Sequence, residues 1–299
     1  MKKNFLIKII AIFMIYFMLF DLSGCNLLNT SSDESDNNVS MIPVDPEDNS
    51  DSTIDENIIQ VTNTIDADIN GDGVNELLEV ILKPRLDGDD IDESGINEIK
   101  TPYFRVTVND KCYEVVLCNS KIYDTQMFIL NLAEPNNKVV IITLDVGGSG
   151  MGHILLYALY FNEGIEFLPL PNLYDESIEE LGGSFGLRAK GKLNDNYSVV
   201  IEYEETGFQG YISLNKDNLN PLFMDDYDED GNILNDVAVD ISAICSVKEN
   251  ILEENHYVEI TQYVYGPTPS DGIGFFISNL RWIDGKLEIS NQSCTDFYD

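Results

Sequence analysis

The stretch DADINGDGVNELLEV, residues 66–80, joins an acidic, glycine-containing turn to an apolar run. Oxygen-bearing side chains occupy every second position from Asp66 to Glu76 except Val74, and a tight loop turns every second residue towards one point. Gly73 permits the positive φ that such a turn needs. The apolar run at 77–82 has the length and β-branched content of a strand. The stretch therefore predicts a cation-binding loop that opens a β-strand.

Two registers of metal ligands compete in this loop. In an EF-hand or dockerin register Asp66 is the first ligand, but the twelfth position, which must hold a bidentate Glu, is Leu77. The other register places an oxygen donor at every ligand position, and hard oxygen donors with several carboxylates favour Ca²⁺ over a transition metal. We therefore expect a calcium ion whose ligands are Asp68, Asn70, Asp72, the backbone carbonyl of Val74, and Glu76.

A second acidic loop, DDYDEDGNILND at 225–236, carries another candidate metal site. Counted from Asp226, the residues Asp228, Asp230 and Gly231 fall at the required positions, but Leu234 occupies the ninth. Counted from Asp228, the ninth position is acidic and the glycine is missing. Asp226, Asp228 and Asp230 are therefore a second candidate with an incomplete ligand set.

Short strand-like runs fill most of the chain beyond residue 76. They are rich in β-branched and aromatic residues and are separated by turn residues such as Asn, Asp, Gly and Pro. The predicted strands are 77–82, 103–108, 112–118, 126–132, 138–146, 153–161, 165–170, 185–191, 197–204, 210–214, 237–247, 257–266, 272–283 and 286–290. One short helix is predicted, at 173–181. This pattern predicts an all-β fold.

The loop with its strand, DINGDGVNELLEVI, resembles the calcium loop of FG-GAP or VCBS-type repeats, which build the blades of β-propellers. The resemblance implies calcium ligands at the positions matching Asp68, Asn70, Asp72 and Glu76, with the carbonyl of Val74. It covers about 15 residues, so a complete propeller does not follow from it. We expect a partial, propeller-like stack of antiparallel β-meanders, with a β-sandwich as the alternative.

The first residues have the pattern of a targeting segment. Lys2, Lys3 and Lys8 precede the apolar run IIAIFMIYFMLF, which is shorter than the roughly 20 residues that span a bilayer. The run ends at LSGC, which resembles the lipobox of bacterial lipoproteins. The resemblance implies that residues 1–24 are a signal peptide and that Cys25 carries a palmitate-type lipid. It also implies a protein anchored in the cell membrane and facing outside the cytoplasm.

Composition divides the remaining chain into a tether and a domain. Residues 25–57 are rich in Ser, Asn and Asp and contain no Lys or Arg, which predicts a disordered acidic tether. Residues 58–299 form the β-rich extracytoplasmic domain, with a candidate sub-boundary near 215–236. Of its four cysteines, Cys112 and Cys118 are expected to be free thiols, while Cys245 and Cys294 are left open as a pair.

The charge of the chain argues against two classes of binding partner. A formal net charge of −36 repels nucleic acid and anionic lipid head groups. No sequence motif singles out a catalytic residue: the glycine-rich stretch at 146–153 lacks the pattern of a nucleophile elbow. We therefore expect a calcium-stabilised binding or scaffold module for a protein or glycan ligand. A secreted hydrolase of glycan or cell wall and a substrate-binding lipoprotein for transport are the alternatives.

Overall fold

The structure is a computed structural model. It describes residues 59–84, 100–131, 138–147, 153–171, 182–214, 223, 225–235, 237–252, 255–268, 270–283 and 286–297. The predicted signal peptide, the predicted lipidation site Cys25, the predicted tether and the helix predicted at 173–181 lie outside these residues. Within them, no helix is long and apolar enough to cross a membrane.

The described residues form fifteen β-strands. In chain order these are β1 (Gln60–Ala67), β2 (Glu76–Pro84), β3 (Lys100–Val108), β4 (Lys111–Val116), β5 (Asp124–Asn131), β6 (Lys138–Asp145), β7 (Ile154–Phe161), β8 (Ile165–Phe167), β9 (Lys190–Asn194), β10 (Ser198–Tyr203), β11 (Phe208–Ser213), β12 (Ala238–Leu252), β13 (Asn255–Tyr265), β14 (Gly272–Ile283) and β15 (Lys286–Asp296).

The strands pair into three antiparallel sheets. Two are four-stranded meanders, β1-β2-β3-β4 and β5-β6-β7-β8, and the third has seven strands in the order β11-β10-β9-β12-β13-β14-β15. Nearly every strand pairs with its sequence neighbour through a short connection, as expected for antiparallel meanders. The prediction of an all-β fold is confirmed.

The β5–β8 sheet is the middle layer of the fold. Val140 and Ile142 of β6 pack in one hydrophobic core with the β1–β4 sheet. Val139 and Ile141, which point to the opposite face, pack in a second core with the seven-stranded sheet. Burial on both faces explains why β6 and β7 are continuous apolar runs, whereas half-exposed strands alternate.

The seven-stranded sheet curls until its two edge strands, β11 and β15, lie beside each other. At this seam a Cβ atom on Gly210 would lie 2.7 Å from the Cys294 sulfur, so the close approach requires glycine. The Thr206 hydroxyl of the β10–β11 turn also donates to Gln292 on β15. The sheet is therefore barrel-like and nearly closed.

All four cysteines of the described residues are free thiols. The expectation for Cys112 and Cys118 is confirmed, and Cys245 and Cys294 do not pair. Cys245 lies on β12 and Cys294 on β15, with β13 and β14 between them in the sheet. Because neighbouring strands are about 4.8 Å apart, the two Cα atoms are well beyond the reach of a disulfide.

Candidate functional site

The predicted calcium loop is the connection of the β1–β2 hairpin. The strand ladder closes with Ala67 opposite Glu76, which leaves residues 68–75 as the loop. Ile69 is only 1% exposed and belongs to the core below. Its backbone N–H donates to Glu76 Oε2 at 2.8 Å, so the loop is held to the sheet by one apolar side chain and one buried hydrogen bond.

Asp68 organises the tight turn of the loop. Its Oδ1 accepts the N–H of Gly71 at 2.7 Å and its Oδ2 accepts the N–H of Gly73 at 3.0 Å. Gly71 and Gly73 have φ values of 78° and 87°, the left-handed region that other residues enter only with strain. The predicted positive φ at Gly73 is confirmed.

Asn70 links two of the predicted carboxylate ligands. Its amide nitrogen donates to Asp72 Oδ2 at 3.2 Å and to Glu76 Oε1 at 3.1 Å. Its amide oxygen accepts the backbone N–H of Asp72 at 2.9 Å. The positive end of the Asn70 amide thus lies between two negatively charged groups, the place where a cation would be attracted.

Glu76 is the most buried of the predicted ligands, with 4% of its surface exposed. Burial raises the pKa of its carboxyl group, and the nearby negative charges of Asp72 and Asp68 raise this pKa further, against the lowering effect of the hydrogen bond from Ile69. Asp66, by contrast, is an exposed residue of β1 opposite Leu77. The structure therefore gathers the residues of the preferred register and leaves the first EF-hand position outside the loop.

The donor set fits a hard cation in its chemistry. Three carboxylates and one amide come from a nine-residue stretch, and the Asn70 amide can present its oxygen in place of its nitrogen after a half-turn, since the two are nearly isosteric. Across the described residues, however, no group of three or more His, Cys, Asp or Glu side chains is already arranged to hold a metal. The Val74 side chain is 60% exposed, consistent with a role for its backbone alone. Calcium at this loop stays a prediction.

The second acidic loop uses its carboxylates for turn hydrogen bonds. Asp228 accepts the backbone N–H groups of Asp230 and Asn232 at 3.0 and 2.8 Å, and hydrogen bonds from the Asn232 side chain and backbone lower its pKa. Asp226 Oδ1 accepts from the Asn235 amide at 2.9 Å. The structure thus gives Asp226 and Asp228 separate partners, and metal binding there also stays a prediction.

A charged cleft of about 890 Å³ lies in the seven-stranded sheet and was not predicted from the sequence. One side carries Arg188 and Lys190, and the other carries glutamates of β10 and of the turn after it. Its lining consists of Arg188, Lys190, Glu202, Tyr203, Glu204, Glu205, Gly207, Phe208 and Gln209. The signal in the sequence was the alternation RAKGK at 188–192, which places three of the 17 basic residues on one face of an extended segment.

Comparison with known families bears on this part of the chain. Residues 187–295 match the model of the YybI C-terminal domain, a bacterial family. The match runs from just before β9 almost to the end of β15 and therefore coincides with the seven-stranded sheet. It covers little more than a third of the chain. No curated protein and no solved structure matches the chain.

Proposed function

We propose that this protein is a lipid-anchored extracytoplasmic lipoprotein whose β domain is stabilised by calcium and acts as a binding or scaffold module for a protein or glycan. The observation that carries the calcium part is the β1–β2 loop. There a buried glutamate, two aspartates and an asparagine converge around two left-handed glycines. A cation would neutralise the charges that raise the Glu76 pKa.

The sequence before the domain supports the proposed location at the outer face of the membrane. LSGC places a cysteine at position 25, where a lipobox requires it, and the acidic stretch after it carries no basic residue. A self-repelling tether of this composition would hold the domain away from the anionic membrane surface. The calcium concentration outside cells suits loops of this type, which commonly bind at about 10⁻⁴ to 10⁻³ M.

Thermal unfolding of the full chain in detergent tests the calcium site. At about 1 mM free calcium, one site of this affinity adds roughly 0.4 to 1.4 kcal/mol, which raises Tm by roughly 1 to 5 °C. Asp72→Ala should remove most of this increase, because its carboxylate has no replacement nearby. Asp66→Ala, on the exposed strand, is the matched control and should keep it. An unchanged calcium shift in Asp72→Ala would remove the site from this loop.

Metabolic labelling tests the anchor independently of calcium. Cells expressing the wild-type chain and a Cys25→Ala variant are grown with a labelled fatty acid, and the protein is isolated by an affinity tag at its C-terminus. The wild-type protein should carry the label and Cys25→Ala should carry none, whereas Cys112→Ala, which removes an exposed thiol of the domain, should leave labelling intact. Equal labelling of all three proteins would rule out Cys25 as the lipidated residue.

A further inference from the structure

A separate cleft of about 460 Å³ lies where the β1–β4 sheet meets the start of β5. Its walls come from the beginning of β1, the end of β2, the first residue of β3 and the segment that leads into β5. The residues of this β1–β5 cleft that carry its chemistry are Gln60, Val61, Lys100, Lys121, Tyr123 and Asp124. Its volume is within the range of about 300 to 1,000 Å³ that is usual for small-ligand sites.

Two lysines give the β1–β5 cleft a positive charge. Neither Lys100 nor Lys121 forms an ion pair with an acidic side chain in the part of the chain that the structure describes. Lys100 Nζ donates to Gln60 Oε1 at 3.1 Å, so the N–H groups of the Gln60 amide are left to donate to a ligand. Asp124 is the one acidic residue of the lining. Hydrogen-bond donors and positive charges therefore predominate in the cleft.

Tyr123 gives the cleft an apolar wall whose position is fixed. Its backbone N–H donates to the Asp145 carbonyl at 2.8 Å. Its ring packs so closely on Gly147 that a Cβ atom there would lie 2.3 Å from the ring carbon Cε2. Lys121 Nζ lies 5.2 Å from the centroid of the same ring, within the range of a cation–π contact. Even so, Tyr123 is 64% exposed, and Val61 of the same lining is 48% exposed.

We propose that the β1–β5 cleft binds an anionic saccharide. The ammonium groups of Lys100 and Lys121 would hold its carboxylate or phosphate group. The Gln60 amide and the Asp124 carboxylate would hydrogen-bond its hydroxyl groups, and the exposed Tyr123 ring would contact its C–H groups. An inorganic anion would use the lysines alone, and a neutral sugar would leave their charges unmatched, whereas a charged sugar complements the whole lining. This inference rests on the proposed binding role and names a ligand class for it.

The negative charge of the chain does not prevent such binding. At physiological salt, interactions between exposed charges are screened over about 8 Å, so distant carboxylates contribute little inside the cleft. A flat anionic membrane would instead face the acidic surface of a chain with a net charge of −36. The charge distribution therefore favours a single saccharide chain over a membrane surface as the ligand.

Saturation-transfer difference NMR on the full chain in detergent tests the proposal at pH 7. The probes are trigalacturonate, which carries carboxylates, and glucose 6-phosphate, which carries a phosphate. The reference is the methyl ester of trigalacturonate, which has the same skeleton and no charge. At least one anionic sugar should bind saturably at millimolar concentration, and the ester at least about fivefold more weakly than trigalacturonate, because charge-assisted hydrogen bonds are lost. Absence of saturable binding by both anionic sugars, or equal binding of the ester, would overturn the proposal.

Variants show whether the anionic sugar binds in this cleft. Lys100→Gln and Lys121→Gln should each weaken its binding at least about fivefold. Lys111→Gln is the matched control, because it removes the same charge from an exposed lysine at the start of β4, outside the cleft lining. Equal weakening by Lys111→Gln would mean that the overall charge of the chain controls binding, which would contradict the site.

Two competitors test the ligand class. Inorganic phosphate and glycerophosphoglycerol, the head group of an anionic phospholipid, should each displace the bound sugar only weakly. Equally effective displacement by inorganic phosphate would reduce the cleft to a simple anion site. Tighter binding of glycerophosphoglycerol would indicate a lipid head group. Either result would contradict a saccharide ligand.

The calcium proposal and the cleft proposal can fail separately. The cleft lies at the Gln60 end of β1 and the predicted calcium loop follows its other end, at Ala67, so sugar binding should be the same with calcium and with a chelator. Loss of the calcium effect on Tm with sugar binding intact would contradict the calcium site alone. Retention of the calcium effect without sugar binding would contradict the cleft alone.

Discussion

Glu76 is a charged residue at a position where the fold alone would favour a neutral one. It is nearly inaccessible to solvent and close to Asp68 and Asp72, both of which destabilise its charge. A glutamine at this position would accept only one of the two hydrogen bonds, which Ile69 donates to Oε2 and Asn70 to Oε1, but its neutral amide would remove the repulsion from Asp68 and Asp72. The charge at Glu76 therefore costs stability unless a cation offsets it, which is the residue-level argument for calcium.

The contribution of Glu76 to stability should depend on pH with a definite sign. A carboxyl group whose pKa is raised in the folded state binds its proton more tightly there than in the unfolded chain. Its contribution to stability therefore falls as the pH rises from the ordinary glutamate pKa through the raised pKa. Without calcium, Glu76→Gln should therefore gain stability relative to wild type between about pH 4 and pH 7. Urea unfolding in a chelator at several pH values measures this difference.

Two further conditions make the Glu76 experiment decisive. Millimolar calcium at pH 7 should lower the stability of Glu76→Gln relative to wild type, because the glutamine variant lacks the negative charge of that ligand. Glu114→Gln serves as the opposite case, since hydrogen bonds from Lys83 and Arg105 lower the Glu114 pKa despite its burial. That variant should lose stability relative to wild type as pH rises from the lowered value to about 4.5. A pH-independent difference between Glu76→Gln and wild type would contradict the role given to burial.

At the scale of the element, one buried side chain takes the place of strand pairing at Leu187, just before β9. Gln262 of β13 is 1% exposed, and its Oε1 accepts the N–H of Leu187 at 2.8 Å. Its Nε2 donates to the carbonyls of Leu187 and Ser242 at 3.0 and 2.7 Å. The backbone N–H and carbonyl of Leu187 are thus both hydrogen-bonded to a side chain, so Leu187 needs no hydrogen-bond partner in a neighbouring strand.

Replacing Gln262 should therefore destabilise the seven-stranded sheet. Gln262→Leu removes three buried hydrogen bonds, to the N–H and carbonyl of Leu187 and to the carbonyl of Ser242, at a cost of roughly 2 to 4 kcal/mol. Gln209→Leu changes the same residue type at an exposed position of β11 and should cost less than about 0.5 kcal/mol. Denaturant unfolding compares the two. A similar small effect in both would show that water replaces the buried hydrogen bonds.

Gln262 also illustrates what the sequence could and could not predict. The runs that became β6, β7, β10 and β14 were predicted within a residue or two, because their apolar content is local information. The run at 185–191 was predicted as a strand, but β9 starts only at Lys190. Leu187 hydrogen-bonds instead to Gln262, which lies 75 positions away in the chain, and no local pattern predicts such a contact. β1 was missed because its polar, half-exposed sequence becomes a strand only by pairing with β2.

The same distinction applies to the two candidate sites. The β1–β2 loop is contiguous, so the spacing of its oxygen donors and the positive φ of Gly73 could be predicted from one stretch. The charged cleft depends on the ladder that brings Lys190 opposite Glu202, and no local pattern specifies that register. The orientation of the Asn70 amide towards Asp72 and Glu76 was likewise a product of the three-dimensional loop.

At the scale of the whole molecule, the β5–β8 sheet couples the two cores. Ile141 and Ile142 are adjacent on β6 and are at most 1% exposed, yet they belong to different cores because successive side chains of a strand point to opposite faces. The hydrogen bonds between Thr62 and Thr125 and between Asn63 and the Thr125 carbonyl add polar contacts between β1 and β5. A substitution on either face of β6 should therefore affect the packing of both neighbouring sheets.

This coupling predicts one cooperative unfolding transition for the described part of the chain. Ile141→Ala and Ile142→Ala should each cost about 2 to 5 kcal/mol, the usual range for truncating a buried isoleucine, and each should shift the whole transition, although they open cavities in different cores. Ile251→Ala, at a 60% exposed position of β12, is the control and should change stability by less than about 0.5 kcal/mol. The measurement is calorimetry combined with near-ultraviolet circular dichroism and the fluorescence of Trp282, which lies in the seven-stranded sheet. Two separate unfolding transitions, with only one of them shifted by each variant, would contradict this prediction. They would mean that the segment matching the YybI C-terminal domain folds as its own unit and that the β5–β8 sheet does not couple the stability of the two cores.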